Sequence, residues 1–121
     1  MKPNISMQRG DTKKIVVQLL DENGAPLPTA QVSAMFFTVK NKRGDADVSA
    51  IISKSLGSGI VITNTLTGMI TVTISPSDTS SLTEGKRGLP WDVQIIKVNG
   101  EVYTVLNGLL NIAADVTRRI V

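Results

Sequence analysis

The sequence predicts an all-β fold, an antiparallel β-sandwich of roughly seven to nine short strands with at most one helical turn,. Three observations carry this. Ile70, Val72 and Ile74 alternate with Thr71, Thr73 and Ser75, the pattern of a strand with one buried and one wet face,. β-rich runs recur along the whole chain between clusters of Gly, Pro, Asn and Asp,. No segment keeps a helical period for more than a turn,.

In chain order, residues 14–20 and 34–39 are apolar at nearly consecutive positions, which predicts central strands covered on both sides or helped by neighbouring loops,. Between them Asp21-Glu22-Asn23-Gly24-Ala25-Pro26-Leu27-Pro28 stacks turn formers with two prolines and can continue neither strand,. Ile60-Val61-Ile62-Thr63 and the alternating run are joined by Asn64-Thr65-Leu66-Thr67-Gly68, a β-hairpin whose closing Gly suits a left-handed conformation,. Residues 77–82 allow a single helical turn after Pro76, with Ser77 or Asp78 as its N-cap,. Residues 91–98 and 101–106 flank Asn99-Gly100, the dipeptide of a type I′ hairpin turn,. Gly108 predicts a bend or bulge before a last short strand at 109–112, followed by a polar tail from Asp115,.

At 121 residues the chain fits one domain, and 41% hydrophobic against 19% charged residues suits a packed core,. Aromatic residues make up only 3%, too few for a base-stacking platform or an aromatic sugar groove,. With no Cys and no His, the usual zinc, haem, Cys-His and Ser-His-Asp centres lose their ligands, bases or nucleophiles,. No cofactor is expected. The Ig-type Cys pair is also absent, so the sandwich is Ig-like in architecture at most, and Trp91 has no disulfide to pack on,. Neither an apolar leader segment nor a run of ~18 apolar residues is present, so no membrane span is expected,.

The net charge of +3 is spread over small groups at Lys13-Lys14, residues 40–43, Lys86-Arg87 and Arg118-Arg119, a solvated rim more than a polyanion-binding face,. Lys40-Asn41-Lys42-Arg43-Gly44 is the densest of these and could touch a nucleic-acid backbone in an OB-type barrel, but aromatic partners are missing around it,. Phe36 and Phe37 lie on opposite sides of one strand, so only one can face solvent,.

Other motifs have plain structural readings. Arg9-Gly10-Asp11 matches an adhesion tripeptide, yet at this position Gly10 and Asp11 make a strand-entry corner,. Asp45-Ala46-Asp47 and Asp21 to Asn23 are oxygen-rich, but neither has the spacing or the later bidentate Glu of a calcium loop,. Asn4-Ile5-Ser6 fits a glycosylation acceptor by chance composition,. The acids sit mostly in turns and strand ends and form no paired catalytic set, and Asp92, inside an apolar strand, is read as facing the wet side or accepting a backbone hydrogen bond,. Gly57-Ser58-Gly59 leads into a strand and so cradles no phosphate at a helix N-terminus,. An enzyme is not expected.

Ile5, Arg9-Gly10-Asp11-Thr12, Asp21-Glu22-Asn23-Gly24-Ala25-Pro26-Leu27, residues 35–40, Gly68-Met69-Ile70-Thr71-Val72-Thr73-Ile74-Ser75-Pro76-Ser77-Asp78-Thr79, Leu82, Trp91-Asp92-Val93-Gln94, Gly108 and Asp115-Val116-Thr117-Arg118 form an ordered string of turn and strand residues. The string is similar to the small Ig-like β-sandwich proteins of tailed bacteriophages, in particular the N-terminal domain of upper-baseplate proteins. That resemblance implies a non-enzymatic virion structural protein of a tail, baseplate, neck or capsid surface, assembled in the bacterial cytoplasm. Its implied partners are other virion proteins, in a symmetric oligomer. Residues 1–8 and 115–121 are then expected as docking arms, and Lys40, Lys42, Arg43, Arg118 and Arg119 as partner-binding residues,. A nucleic-acid-binding β-barrel and a host-surface or carbohydrate-binding module are the alternatives, the latter with Trp91 and Tyr103 as its large aromatic platforms.

Overall fold

The computed structural model describes residues 4–21, 23–42, 44, 50–79 and 86–113. Eight strands, β1 (Asn4–Gln8), β2 (Lys13–Gln18), β3 (Val32–Val39), β4 (Ile52–Leu56), β5 (Gly59–Asn64), β6 (Met69–Ile74), β7 (Lys86–Lys97) and β8 (Val102–Ala113), run in the order β1-β8-β7-β3-β4-β5-β6-β2. A short parallel contact, Ser55 to Gly59 and Leu56 to Ile60, joins β4 to β5 at the fold between two layers. The large layer is β1-β8-β7-β3-β4 and the small one β5-β6-β2. Phe37, Trp91, Val93 and Ile95 of the first pack in one core with Ile60, Ile70, Val72 and Val17 of the second,.

Alternation decides which residues enter that core. In β6, Ile70, Val72 and Ile74 are buried and the threonines between them are not,. In β3, Met35, Phe37 and Val39 are buried while Phe36 faces outward, as a one-sided phenylalanine pair requires. The β5–β6 hairpin forms where Asn64 to Gly68 predicts it. Asn64 Oδ1 accepts the amides of Leu66 and Thr67, and Gly68 holds φ at 72°. The turn at residues 21–28 closes through Asp21, whose Oδ1 accepts the N–H groups of Asn23 and Ala25 at 2.9 Å each,.

Several expectations change. β3 is central, but β2 lies at the sheet's end, with β6 as its one strand partner among the described residues, and Val16 is 64% exposed. β1 does not pair beside it but crosses to the large layer and runs parallel to β8. Residues 4–8, expected within a docking arm, are therefore a structural strand that buries Ile5 and Met7. Residues 115–121 lie outside the described residues, as do Met1 to Pro3.

The β7–β8 turn also differs. Gly100, not Asn99, takes a positive φ, at 91°. Its N–H donates to Lys97 O and Lys97 N–H to Glu101 O, a three-residue loop in place of a two-residue type I′ turn,. Asn99 holds it by accepting the Glu101 amide on Oδ1 and donating to the Glu101 carboxylate. β8 then runs unbroken through Gly108, which pairs with Trp91, and the irregularity falls at Val105 instead. There Val93 and Gln94 oppose Leu106 and Thr104, leaving Val105 as the bulged residue,.

The predicted helical turn is α1 (Pro76–Thr79). Its cap is Ser75, not Ser77 or Asp78. The Asp78 carboxylate reaches back to accept Ser75 N–H at 2.7 Å and Ser75 Oγ at 2.9 Å, half of a capping box with Pro76 at the first helical position,.

Candidate functional site

Of the residues expected to bind a partner, Lys40 and Lys42 are among the described ones. Lys40 follows β3, half-buried, with its amide donating to Pro90 O at 3.0 Å, and Lys42 is exposed in the loop beyond. Arg43, Arg118 and Arg119 lie outside the described residues. So does Asp45-Ala46-Asp47, whereas the oxygen-rich turn at Asp21 spends one carboxylate oxygen on its own backbone. Arg9 is 4% exposed and Gly10 N–H donates to Thr79 Oγ1, so the Arg9-Gly10-Asp11 corner locks the β1–β2 connection against α1. An adhesion loop needs that arginine outside.

What the fold does bring together is the outer face of the large layer. Registered rows cross it: Thr104, Gln94, Phe36 and Ser55 in one, Asn107, Asp92, Thr38 and Ser53 in the next. Pro90 and Leu109 continue it at one end, Ile96 and Val102 at the other. Phe36 is 37% exposed, Val102 53% and Leu109 38%, each aliphatic or aromatic among Ser, Thr, Asn and Gln. Within these rows Asp92 is the single charged side chain, half-buried and facing outward as expected, in a shallow dimple of about 70 Å³ shared with Thr38, Lys40, Pro90 and Trp91. The dimple is too small for a substrate-sized molecule.

Trp91 is 2% exposed and stacks at a tilt on Phe37, ring centres 5.6 Å apart, so it cannot serve as a sugar platform. Its Nε1 is buried without a hydrogen-bond partner. Tyr103 is 38% exposed and lines a groove of about 380 Å³ between the β7–β8 hairpin and the turn after β2, with Leu20, Leu27, Ile95, Lys97 and Val105. Sequence reading missed the outer face as a unit because its members come from four strands distant in the chain. The usable signal was the Phe36-Phe37 pair, which requires one aromatic ring outside.

No protein-family model matches the chain, and no curated protein matches it. Among solved structures it is similar to the NK cell receptor Nkp44, described as a triggering partner in natural cytotoxicity, with a TM-score of 0.57 at 11% identity over 93% of this chain and 99% of that one. It is also similar to Tim-2, with a TM-score of 0.52 at 11% identity over 98% of each chain. Identity this low speaks to architecture alone, and the architecture is an Ig-like β-sandwich.

Proposed function

We propose that the protein is a non-enzymatic structural module of a tailed-bacteriophage particle that docks on neighbouring virion subunits through the outer face of its large layer. The observation that carries the docking role is that face itself. Its described rows carry one charged side chain, Asp92, with Phe36, Val102 and Leu109 exposed among polar neighbours. Interface cores are depleted of charge and enriched in aromatic side chains. The particle as its setting is supported by the ordered string of turn and strand residues that resembles phage baseplate domains. Many copies in a symmetric assembly would turn modest contacts into a stable attachment.

The test is mass spectrometry of gradient-purified particles released from the strain that encodes the chain. A fixed copy ratio to the other particle proteins is expected. Infectious particles without the protein would sink the reading.

A further inference from the structure

Among the described residues β1 pairs with β8 from Leu109 onward, where Asn4 meets Leu109. Upstream of that point β8 bonds β7 on one side, and among the described residues no strand pairs with its other side at Val102 or Thr104. The hydrogen-bond phase is set by the turn. Lys97 N–H donates to Glu101 O, so alternation directs Tyr103 toward Ile95 on β7 and points the N–H and C=O of Val102 and Thr104 away from it,. Proteins ordinarily guard such an edge with lysine, proline or an inward charge. Val102-Tyr103-Thr104-Val105-Leu106-Asn107 has none of these and is rich in β-branched and aromatic residues,. β2, at the other end of the sheet, begins with Lys13-Lys14.

This edge borders the 380 Å³ groove. Tyr103 shares the inward side of the sheet with its pair-mate Ile95, and the bulge turns Val105 and Leu106 to that side as well, where both pack against the core,. Leu20, 43% exposed, buried Leu27, Gly24 and Asp21 form the opposite wall, the Asp21 carboxylate holding its own turn through Oδ1. At the rim the Lys97 ammonium stands 5.5 Å from the centre of the Tyr103 ring, and no carboxylate of the described residues pairs with it.

We infer that this edge and groove are a β-augmentation site for an extended segment of another polypeptide, apolar at alternate positions and carrying a carboxylate for Lys97. The incoming strand bonds the outward groups of Val102 and Thr104, every second side chain drops into the groove, and the acid meets the ammonium at its rim. Self-pairing of the same edge would bring no carboxylate within residues 102–107, and the adjoining Glu101 carboxylate already accepts Asn99 Nδ2. The site uses the backbone edge of Val102 and Thr104, whose side chains belong to the outer face, but it does not depend on the particle reading.

The experiment pans a yeast-displayed random-peptide library against the full chain and measures the enriched peptides by fluorescence anisotropy. Peptides with alternating apolar residues and an Asp or Glu are expected. Thr104→Pro, which removes an outward N–H without touching the β7 ladder, should weaken them by about tenfold or more, and Lys97→Gln by about threefold. Melting curves report whether each variant folds. Independently of any variant, N-methylation of alternate peptide backbone nitrogens should abolish binding in one phase and spare it in the other. Enriched peptides lacking alternation or acid, equal tolerance of both methylation phases, or unchanged affinity for a folded Thr104→Pro would each overturn the site. So would a dimer seen by sedimentation that Thr104→Pro dissolves, since a second copy would then own the edge. Failure here leaves particle incorporation, which is read from Phe36 variants and virion content, unaffected.

Discussion

Lys54 Nζ lies 2.7 Å from Asp78 Oδ2, an ion pair that ties the inner side of β4 to the single turn of α1. Lys54 faces inward because its register partner is the buried Phe37, and its aliphatic stem lies where a side chain at Gly59 would have to go. Both charged groups are largely shielded from water. Burial alone would raise the Asp78 carboxyl, but the Lys54 ammonium and the two Ser75 donors together outweigh it and hold it below its ordinary value,.

A carboxyl whose folded pKa lies below its unfolded value adds stability that is complete above about pH 4 and is lost as the pH falls through the folded value. Asp78→Asn should therefore lower unfolding free energy at neutral pH by about 1–3 kcal/mol and flatten the acid limb of the stability profile. Urea unfolding over a pH series checks this. An acid limb as steep in the variant as in the parent would place the proton uptake elsewhere.

Gly68 ends the β5–β6 loop with φ at 72°, and a Cβ there would run into the carbonyl oxygens of Leu27 and Leu19. Its own carbonyl accepts Leu19 N–H at 2.8 Å, so the loop is bonded to the end of β2 and cannot easily withdraw. Gly68→Ala combines a disfavoured backbone angle with a backbone clash and should cost about 2–4 kcal/mol. Gly24→Ala, at a similar φ of 81° but with nothing near its Cβ, should cost about 1 kcal/mol,. Equal losses in thermal unfolding would mean that the clash relaxes.

Trp91 strands a buried N–H while its ring fills the space beside Phe37. Trp91→Phe removes the unsatisfied donor and keeps most of the packing, so its cost should be within about 1 kcal/mol, against about 3–5 kcal/mol for Trp91→Ala. Circular dichroism during chemical denaturation separates the two. A phenylalanine variant as unstable as the alanine one would show that the indole's volume matters more than its nitrogen.

Phe36 is paired with Gln94 and Ser55 and bounded by no core residue on its outward side. Phe36→Asp should leave the melting temperature within about 3 °C of the parent, since surface changes rarely exceed ~0.5 kcal/mol, while excluding the protein from assembled particles. Normal incorporation of this variant would move the docking surface away from the large layer's outer face.

Local chemistry alone determined which side of β3 and β6 is buried, where the turns at residues 21–28 and 64–68 fall, and that one helical turn forms beside Pro76, though its cap is Ser75 and not Ser77 or Asp78. These follow from period-two alternation, asparagine and aspartate bonds to nearby amides, and proline's fixed φ, all of which act within a few residues. Only the tertiary structure decided that residues 4–8 join the sheet in parallel with β8, that β2 is an edge and that Lys54 points inward beside Asp78. It likewise placed the bulge at Val105, not at Gly108, and gathered Phe36, Val102 and Leu109 onto one face. Strand partners and register are chosen by packing between segments far apart in the chain, and no residue carries a local mark of the neighbour it will meet.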